Sequence, residues 1–230
     1  MIVNNVEELA GAIDHAILKP EATGEQIKRL CAEAKQYGFF AAFVNPRWVP
    51  LAADLLHGTK VAVGTVVSFP FGTDSTKIKV LQAKEAILAG ADEIDMVADI
   101  ASIIEGDEKY LARQLKAVKE VCDSMKPRVL LKVIIEAAAL TTEQKIFACR
   151  IADQIGVDFV KTSTGFHPAG GATVEDVKIM RENAGYCKVK ASGGIRTAKQ
   201  ALELLEAGAD RLGTSSSIQI IEQFKAGQAK

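Results

Sequence analysis

The strongest constraint in this chain is a recurring junction. A helix-like segment ends at a glycine and runs at once into a β-rich segment. Four cases are plain: Gly38 before 39–44, Gly90 before 91–97, Gly156 before 157–160 and Gly208 before 209–212. A glycine just past a helix end takes the left-handed conformation cheaply and turns the chain back. Equal intervals separate Gly38 from Gly90 and Gly156 from Gly208, each long enough for two strand–helix units. Strands are expected near 12–17, 39–45, 60–68, 93–98, 128–136, 159–164, 188–193 and 211–214. Helical patterns lie between them at 24–32, 77–88, 109–121, 142–152, 174–182 and 197–206. Thr142 and Thr197 read as N-caps, and Thr141 with Gln144 fits a capping box. Strands alternating with helices imply parallel pairing with right-handed crossovers. Eight such units close naturally into an α/β fold of the (β/α)8 (TIM) barrel type, with an open doubly wound sheet as the competing arrangement. No Pro/Gly/Ser-rich linker divides the chain, so residues 1–230 are expected to form a single domain.

Composition removes several functions. The 28 basic and 29 acidic side chains leave a formal charge of -1. A nucleic-acid binder needs a basic stripe to release phosphate counterions, and an anionic membrane surface needs a polybasic patch. Neither partner is expected. No apolar run reaches the roughly 18 residues of a membrane span, and the start has neither a basic nor an apolar leader region. Cys31, Cys122, Cys149 and Cys187 are far apart and form no Cys-x-x-Cys pair, so they read as free thiols in a reducing cytoplasm. His15, His57 and His167 are scattered too, and no metal is expected.

In such barrels the chemistry sits at the C-terminal ends of the strands. Strand alternation puts Lys161 and Ser163 on one face, and Lys188, Lys190 and Ser192 on another; Asp95 shares a face with Glu93, and Lys132 with Glu136. Lysines inside Val-rich strands are costly unless paired or used. Two inward ammonium groups on neighbouring strands repel, which lowers a lysine pKa and makes an amine available to attack a carbonyl. Pairing with local acids is the structural alternative for both lysines. Three turns after the last strands are rich in glycine or hydroxyls: Ser163-Thr164-Gly165-Phe166, Ser192-Gly193-Gly194-Ile195 and Gly213-Thr214-Ser215-Ser216-Ser217. Glycines let backbone N–H groups approach an anion, and the helix that follows adds its dipole. Ordinary strand–helix turns are the competing reading. Combined with the lysines, the turns point to a phosphorylated carbonyl substrate.

Several segments then match one family in order and spacing. They are Asp14-His15-Ala16-Ile17-Leu18-Lys19-Pro20, Val44-Asn45-Pro46, Ser68-Phe69-Pro70-Phe71-Gly72, Gly90-Ala91-Asp92-Glu93-Ile94-Asp95-Met96-Val97, Leu131-Lys132-Val133-Ile134-Ile135-Glu136, Val160-Lys161-Thr162-Ser163-Thr164-Gly165-Phe166 and Val189-Lys190-Ala191-Ser192-Gly193-Gly194-Ile195-Arg196. The chain resembles the deoxyribose-phosphate aldolases, lyases that work through a Schiff base on a (β/α)8 barrel. The resemblance implies reversible cleavage of 2-deoxy-D-ribose 5-phosphate to D-glyceraldehyde 3-phosphate and acetaldehyde, with no cofactor. It implies that Lys161 forms the Schiff base, Lys190 perturbs it and Asp95 relays protons. Asp14 and Lys132 then belong to the surrounding pocket, and Gly165, Gly193, Gly194, Gly213, Ser215 and Ser216 to the phosphate site. It also implies a homodimer or homotetramer; a cytoplasmic location is expected from the free thiols. Departures from the family pattern are Ala16, Phe43, Ala98, Ala137, His167-Pro168 and the absence of a tyrosine in the tail. They bear on substrate range and proton delivery more than on reaction class. A Schiff-base aldolase for another phosphorylated aldose and a non-catalytic phosphosugar-binding barrel are the rival functions.

Overall fold

The computed structural model describes residues 2–228. Met1, Ala229 and Lys230, the ends of the expected 1–230 domain, lie outside the described residues. Eight strands are present: β1 (Ile13–Ile17), β2 (Ala41–Val44), β3 (Ala62–Val67), β4 (Glu93–Val97), β5 (Leu130–Ile134), β6 (Phe159–Lys161), β7 (Lys188–Ser192) and β8 (Arg211–Thr214). They pair in parallel in chain order, and β8 returns to β1 to close the barrel. An open sheet is thereby excluded.

The helices are α1 (Val6–Gly11), α2 (Gly24–Tyr37), α3 (Val49–Leu56), α4 (Thr76–Leu88), α5 (Ile100–Glu105), α6 (Glu108–Ser124), α7 (Thr142–Ile155), α8 (Val174–Asn183), α9 (Ala198–Glu206) and α10 (Ser217–Gln228). Gly38 and Gly156 cap α2 and α7 in the left-handed conformation, as the repeated junction predicts. Gly90 and Gly208 also have positive φ, one residue beyond the caps Ala89 and Ala207. Thr197 caps α9, but α7 is capped by Thr141 rather than Thr142, because Thr141 closes the box with Gln144 and Thr142 is already helical. Helices α1, α3, α5 and α10 lie outside the expected set. Three of them run six or eight residues, too short to show a periodicity.

Strand alternation divides the barrel into two shells. Outward residues Ile13, Ala42, Val44, Val63, Ile94, Met96, Leu131, Val133, Val160, Val189 and Leu212 join helix residues such as Leu30, Ala83, Leu115, Ile151 and Leu205 in one continuous apolar cluster. Burying each large aliphatic side chain contributes roughly 1.5–3 kcal/mol, so this outer shell carries most of the stability. The inner shell is different. Asp14, Glu93, Asp95, Lys132, Lys161, Lys190 and Arg211 are buried inside the barrel and pair with one another.

One inward pair fixes the packing of β2 on β3. Phe43 stands opposite Gly64 in the ladder, and a Cβ built on Gly64 would lie 2.3 Å from the Phe43 ring. Glycine is therefore required there by the ring. Gly64→Ala is expected to destabilise the fold by roughly 1–3 kcal/mol through overpacking. In Gly64→Ala/Phe43→Leu that loss should be largely relieved. Urea unfolding of the double-variant cycle checks this, and simple additivity of the two single losses would contradict it.

Candidate active site

The inner shell is built by register. Asp95 pairs with Lys132 across β4 and β5, Lys161 with Lys190 across β6 and β7, and Lys190 with Arg211 across β7 and β8. Residues at the same height on neighbouring strands of a parallel sheet lie about 4.8 Å apart, so these charges must meet. Asp95 Oδ2 accepts hydrogen bonds from Lys161 Nζ and from Lys190 Nζ, each at 2.7 Å. Its other oxygen lies 3.1 Å from Lys132 Nζ. Lys132 also donates to Glu93 Oε2 at 2.5 Å. Lys190 Nζ lies 2.5 Å from Asp14 Oδ2. Arg211 closes the network from below, donating to Asp14 through Nε at 2.8 Å and to Glu93 Oε2 at 2.9 Å.

This network holds Lys132, Lys161, Lys190 and Arg211 against Asp14, Glu93 and Asp95, one positive charge in excess if all are ionised. Burial pushes Lys190 down, and Lys161 and Lys132 push the same way; Asp14 and Asp95 oppose them, and Lys190 comes to rest at about 8. Burial would raise Asp95, but the ammonium groups of Lys132, Lys161 and Lys190 outweigh it and hold the carboxyl well below the usual range. Asp14 is likewise pushed up by burial and held down overall by Lys190, Arg211 and Lys132. Burial also works against the charge of Lys132, yet Asp95, Glu93 and Asp14 overcome it and raise its pKa. Within the network Lys190 is thus held below the ordinary lysine value and Lys132 above it.

Above the network opens a cleft of about 370 Å³ at the C-terminal ends of the strands. Lys161, Lys190 and Asp14 form its floor, and Gly165, Gly193, Gly194, Gly213, Ser215 and Ser216 line its wall. All the residues singled out for the pocket and the phosphate site line this cleft except Asp95 and Lys132, which are fully buried beneath it. Ser163 does not follow Lys161 into the cleft: β6 ends at Lys161, alternation stops there, and the Ser163 hydroxyl is buried without a partner. Among the departures, Ala16 and Phe43 line the cleft, whereas Ala98 and Ala137 sit in the outer apolar shell and His167-Pro168 lies outside.

The wall is tied together by backbone. Gly193 has φ 90° and its Cα comes within 3.5 Å of a Cβ built on Gly165, while a Cβ on Gly171 would strike the Gly193 carbonyl oxygen at 2.1 Å. That contact lets the Ala172 N–H donate to both Ser192 and Gly193 carbonyls at 3.1 Å. Thr214 Oγ1 donates to the Ile195 carbonyl at 2.7 Å, joining the turns after β7 and β8. Helix α10 starts directly after Ser215 and Ser216, so its N-terminus faces this corner.

Four contributors were not legible as site residues. Glu93 and Arg211 complete the ionic network from far apart in sequence. Glu136 holds a left-handed backbone (φ 56°) and its carboxylate accepts from Thr164 Oγ1 at 2.6 Å, fixing the turn that carries Gly165. Lys79 of α4 is buried and donates to the Val97 carbonyl at 2.8 Å, bracing the end of the strand that carries Asp95. Only the alternation of Glu93 with Asp95, and of Glu136 with Lys132, carried any signal.

A family model described as DeoC/LacD family aldolase matches residues 9–222. A deoxyribose-phosphate aldolase of Aciduliprofundum boonei is 51% identical over 222 residues, covering 96% of this chain and 99% of the relative. One from Thermoanaerobacter sp. is 47% identical over 221 residues, covering 94% and 96%. Among solved structures, the tetrameric deoxyribose phosphate aldolase of Aeropyrum pernix superposes with a TM-score of 0.89 at 31% identity, over 96% of this chain and 93% of that one.

The depressed carboxylates predict the acid response. Asp14 and Asp95 ionise in the unfolded chain near 3.8 and lower in the folded one. The folded state therefore gains stability above that value and loses it as pH falls through and below it. Asp14→Asn is expected to be less stable at pH 7 by roughly 3–5 kcal/mol, because it leaves buried cations uncompensated. It should also lose stability less steeply on acidification. Urea unfolding as a function of pH checks both, and an unchanged slope would contradict the assignment.

Proposed function

This chain belongs to the DeoC/LacD family of aldolases, and from that premise we propose that it works as a deoxyribose-phosphate aldolase through Lys161. It reversibly cleaves 2-deoxy-D-ribose 5-phosphate to D-glyceraldehyde 3-phosphate and acetaldehyde. The observation that carries the residue assignment is the position of Lys161: its Nζ reaches the cleft floor and shares Asp95 Oδ2 with Lys190.

The amine of Lys161 adds to the aldehyde carbon of the open-chain sugar to give a carbinolamine. Loss of water yields an iminium, which withdraws electrons from the bond between the second and third carbons. That bond breaks as the hydroxyl on the third carbon gives up its proton. The products are glyceraldehyde 3-phosphate and an enamine on Lys161. Protonation of the enamine carbon and hydrolysis then release acetaldehyde and restore the amine. Asp95 is the carboxylate placed to move protons in these steps, directly or through a water. Lys190 places an ammonium group beside it at neutral pH. Lys132 and Arg211 keep Asp95 and Asp14 ionised from below, and Asp14 holds Lys190 in place.

The phosphate is assigned to the turns bearing Gly165, Gly193, Gly194, Gly213, Ser215 and Ser216, where backbone N–H groups and the N-terminus of α10 can meet a dianion. Support for this is the shared cleft and the tight backbone packing of Gly165, Gly171 and Gly193. The Aeropyrum relative is tetrameric, and a homodimer or homotetramer is inferred here. Burial pushes the thiols of Cys122, Cys149 and Cys187 up to about 12, so they are inert fillers of the outer shell. Four unpaired cysteines support a cytoplasmic location. No helix among the described residues is long and apolar enough to cross a membrane.

Borohydride reduction in the presence of acetaldehyde tests the central assignment. An ethyl group on Lys161, identified by peptide mass spectrometry, is expected. Lys161→Ala should abolish both adduct and cleavage, the latter by roughly a thousandfold or more. Cleavage with the adduct on another lysine, or with none, would overturn the assignment.

A further inference from the structure

Phe43 is a buried member of the inner shell to which the reaction gives no task. Its ring centroid lies 3.8 Å from Lys190 Nζ and 4.7 Å from Lys132 Nζ. The side chain is 1% exposed, and it forms part of the cleft lining. Gly64 gives the ring its place from β3, so close that a single added methyl would collide with it. The face of an aromatic ring is electronegative and attracts an ammonium group, more strongly where water is excluded.

The surroundings of Lys190 make that attraction count. Asp14 faces it from β1, Asp95 from β4, Lys132 from β5 and Lys161 from β6. Both carboxylates are shared. Arg211 on β8 takes Asp14, while Lys161 and Lys132 take Asp95. The Phe43 ring lies closest to Lys190 of its two cations, and it adds attraction without bringing another charge into the network.

We propose that Phe43 is a positioning residue of the aldol reaction, its ring face keeping Lys190 in the charged form and thereby setting the alkaline limit of activity. The proposal rests on the aldolase reading above. In that reading the Lys190 ammonium repels a second positive charge at the neighbouring amine that attacks the carbonyl. Activity is then lost on the alkaline side as Lys190 gives up its proton. Without the ring the ammonium is less well held, and the loss begins at lower pH.

The test is the pH profile of kcat/KM for cleavage of 2-deoxy-D-ribose 5-phosphate, with thermal unfolding of each variant as a check on folding. Phe43→Leu and Phe43→Met remove the ring and keep most of its bulk, and Phe43→Tyr keeps the ring face. The alkaline limb is expected to move to lower pH by roughly one unit in the Leu and Met variants, and to stay in place in the Tyr variant. A merely structural role would lower activity at every pH and leave the limb where it is. An unmoved limb in whichever of the Leu and Met variants folds, or an equal shift in the Tyr variant, overturns the proposal. A wild-type chain that does not cleave the substrate overturns the aldolase reading instead, so the two failures are distinguishable.

Discussion

Three lysines converge on one carboxylate, and the site depends on that contact. Asp95 holds Lys161 and Lys190 on one oxygen and Lys132 near the other, in a place closed to solvent. Isolated buried ions carry penalties of several kcal/mol each. Here each is compensated by at least one partner, and the partners interlock through strand register. The arrangement has one cation too many. Such a network is predisposed to release a proton from Lys190, the lysine that burial and its cationic neighbours bring down to about 8.

The fold keeps this charged interior separate from what stabilises it. Outward-facing Val, Ile, Leu and Met pack beneath the helices in one apolar shell. The inward positions are thereby released from any duty to form a core. Turns at the C-terminal rim then convert strand order into a cleft wall. Glu136 grips Thr164 after β6, Ala172 reaches the Ser192 and Gly193 carbonyls, and Thr214 reaches Ile195. The chain of cause runs from glycine-punctuated repeats, to parallel register, to a crowded ion cluster, to a lysine amine on the floor of a glycine-walled cleft.

Much of this was legible in the residues, for identifiable reasons. Gly38, Gly90, Gly156 and Gly208 announced the repeat because a left-handed turn accepts few other residues. Lys161, Lys190 and Asp95 stood out because charges inside Val-rich strands need an explanation. What stayed hidden was set by distance in sequence or by face. Arg211 meets Glu93 only because β8 and β4 look across the same barrel. The shortness of β6 is not legible in 159–164, because Thr162 and Ser163 look like strand residues although the strand ends at Lys161. Phe43 reads as ordinary core until its ring is seen beneath two ammonium groups. Helices α3 and α5 stay hidden in the sequence because eight and six residues carry too little pattern to separate helix from apolar run.

The most direct measurement of the central claim is the number of protons on the buried lysines. Nitrogen-15 NMR of the Lys Nζ groups, with Lys190→Met used to assign its signal, follows each ammonium through a pH titration. Lys190 is expected to lose its proton near pH 8, while Asp14 and Asp95 stay ionised throughout the neutral range. A Lys190 that remains fully protonated to the ordinary lysine value of about 10.4 would contradict it.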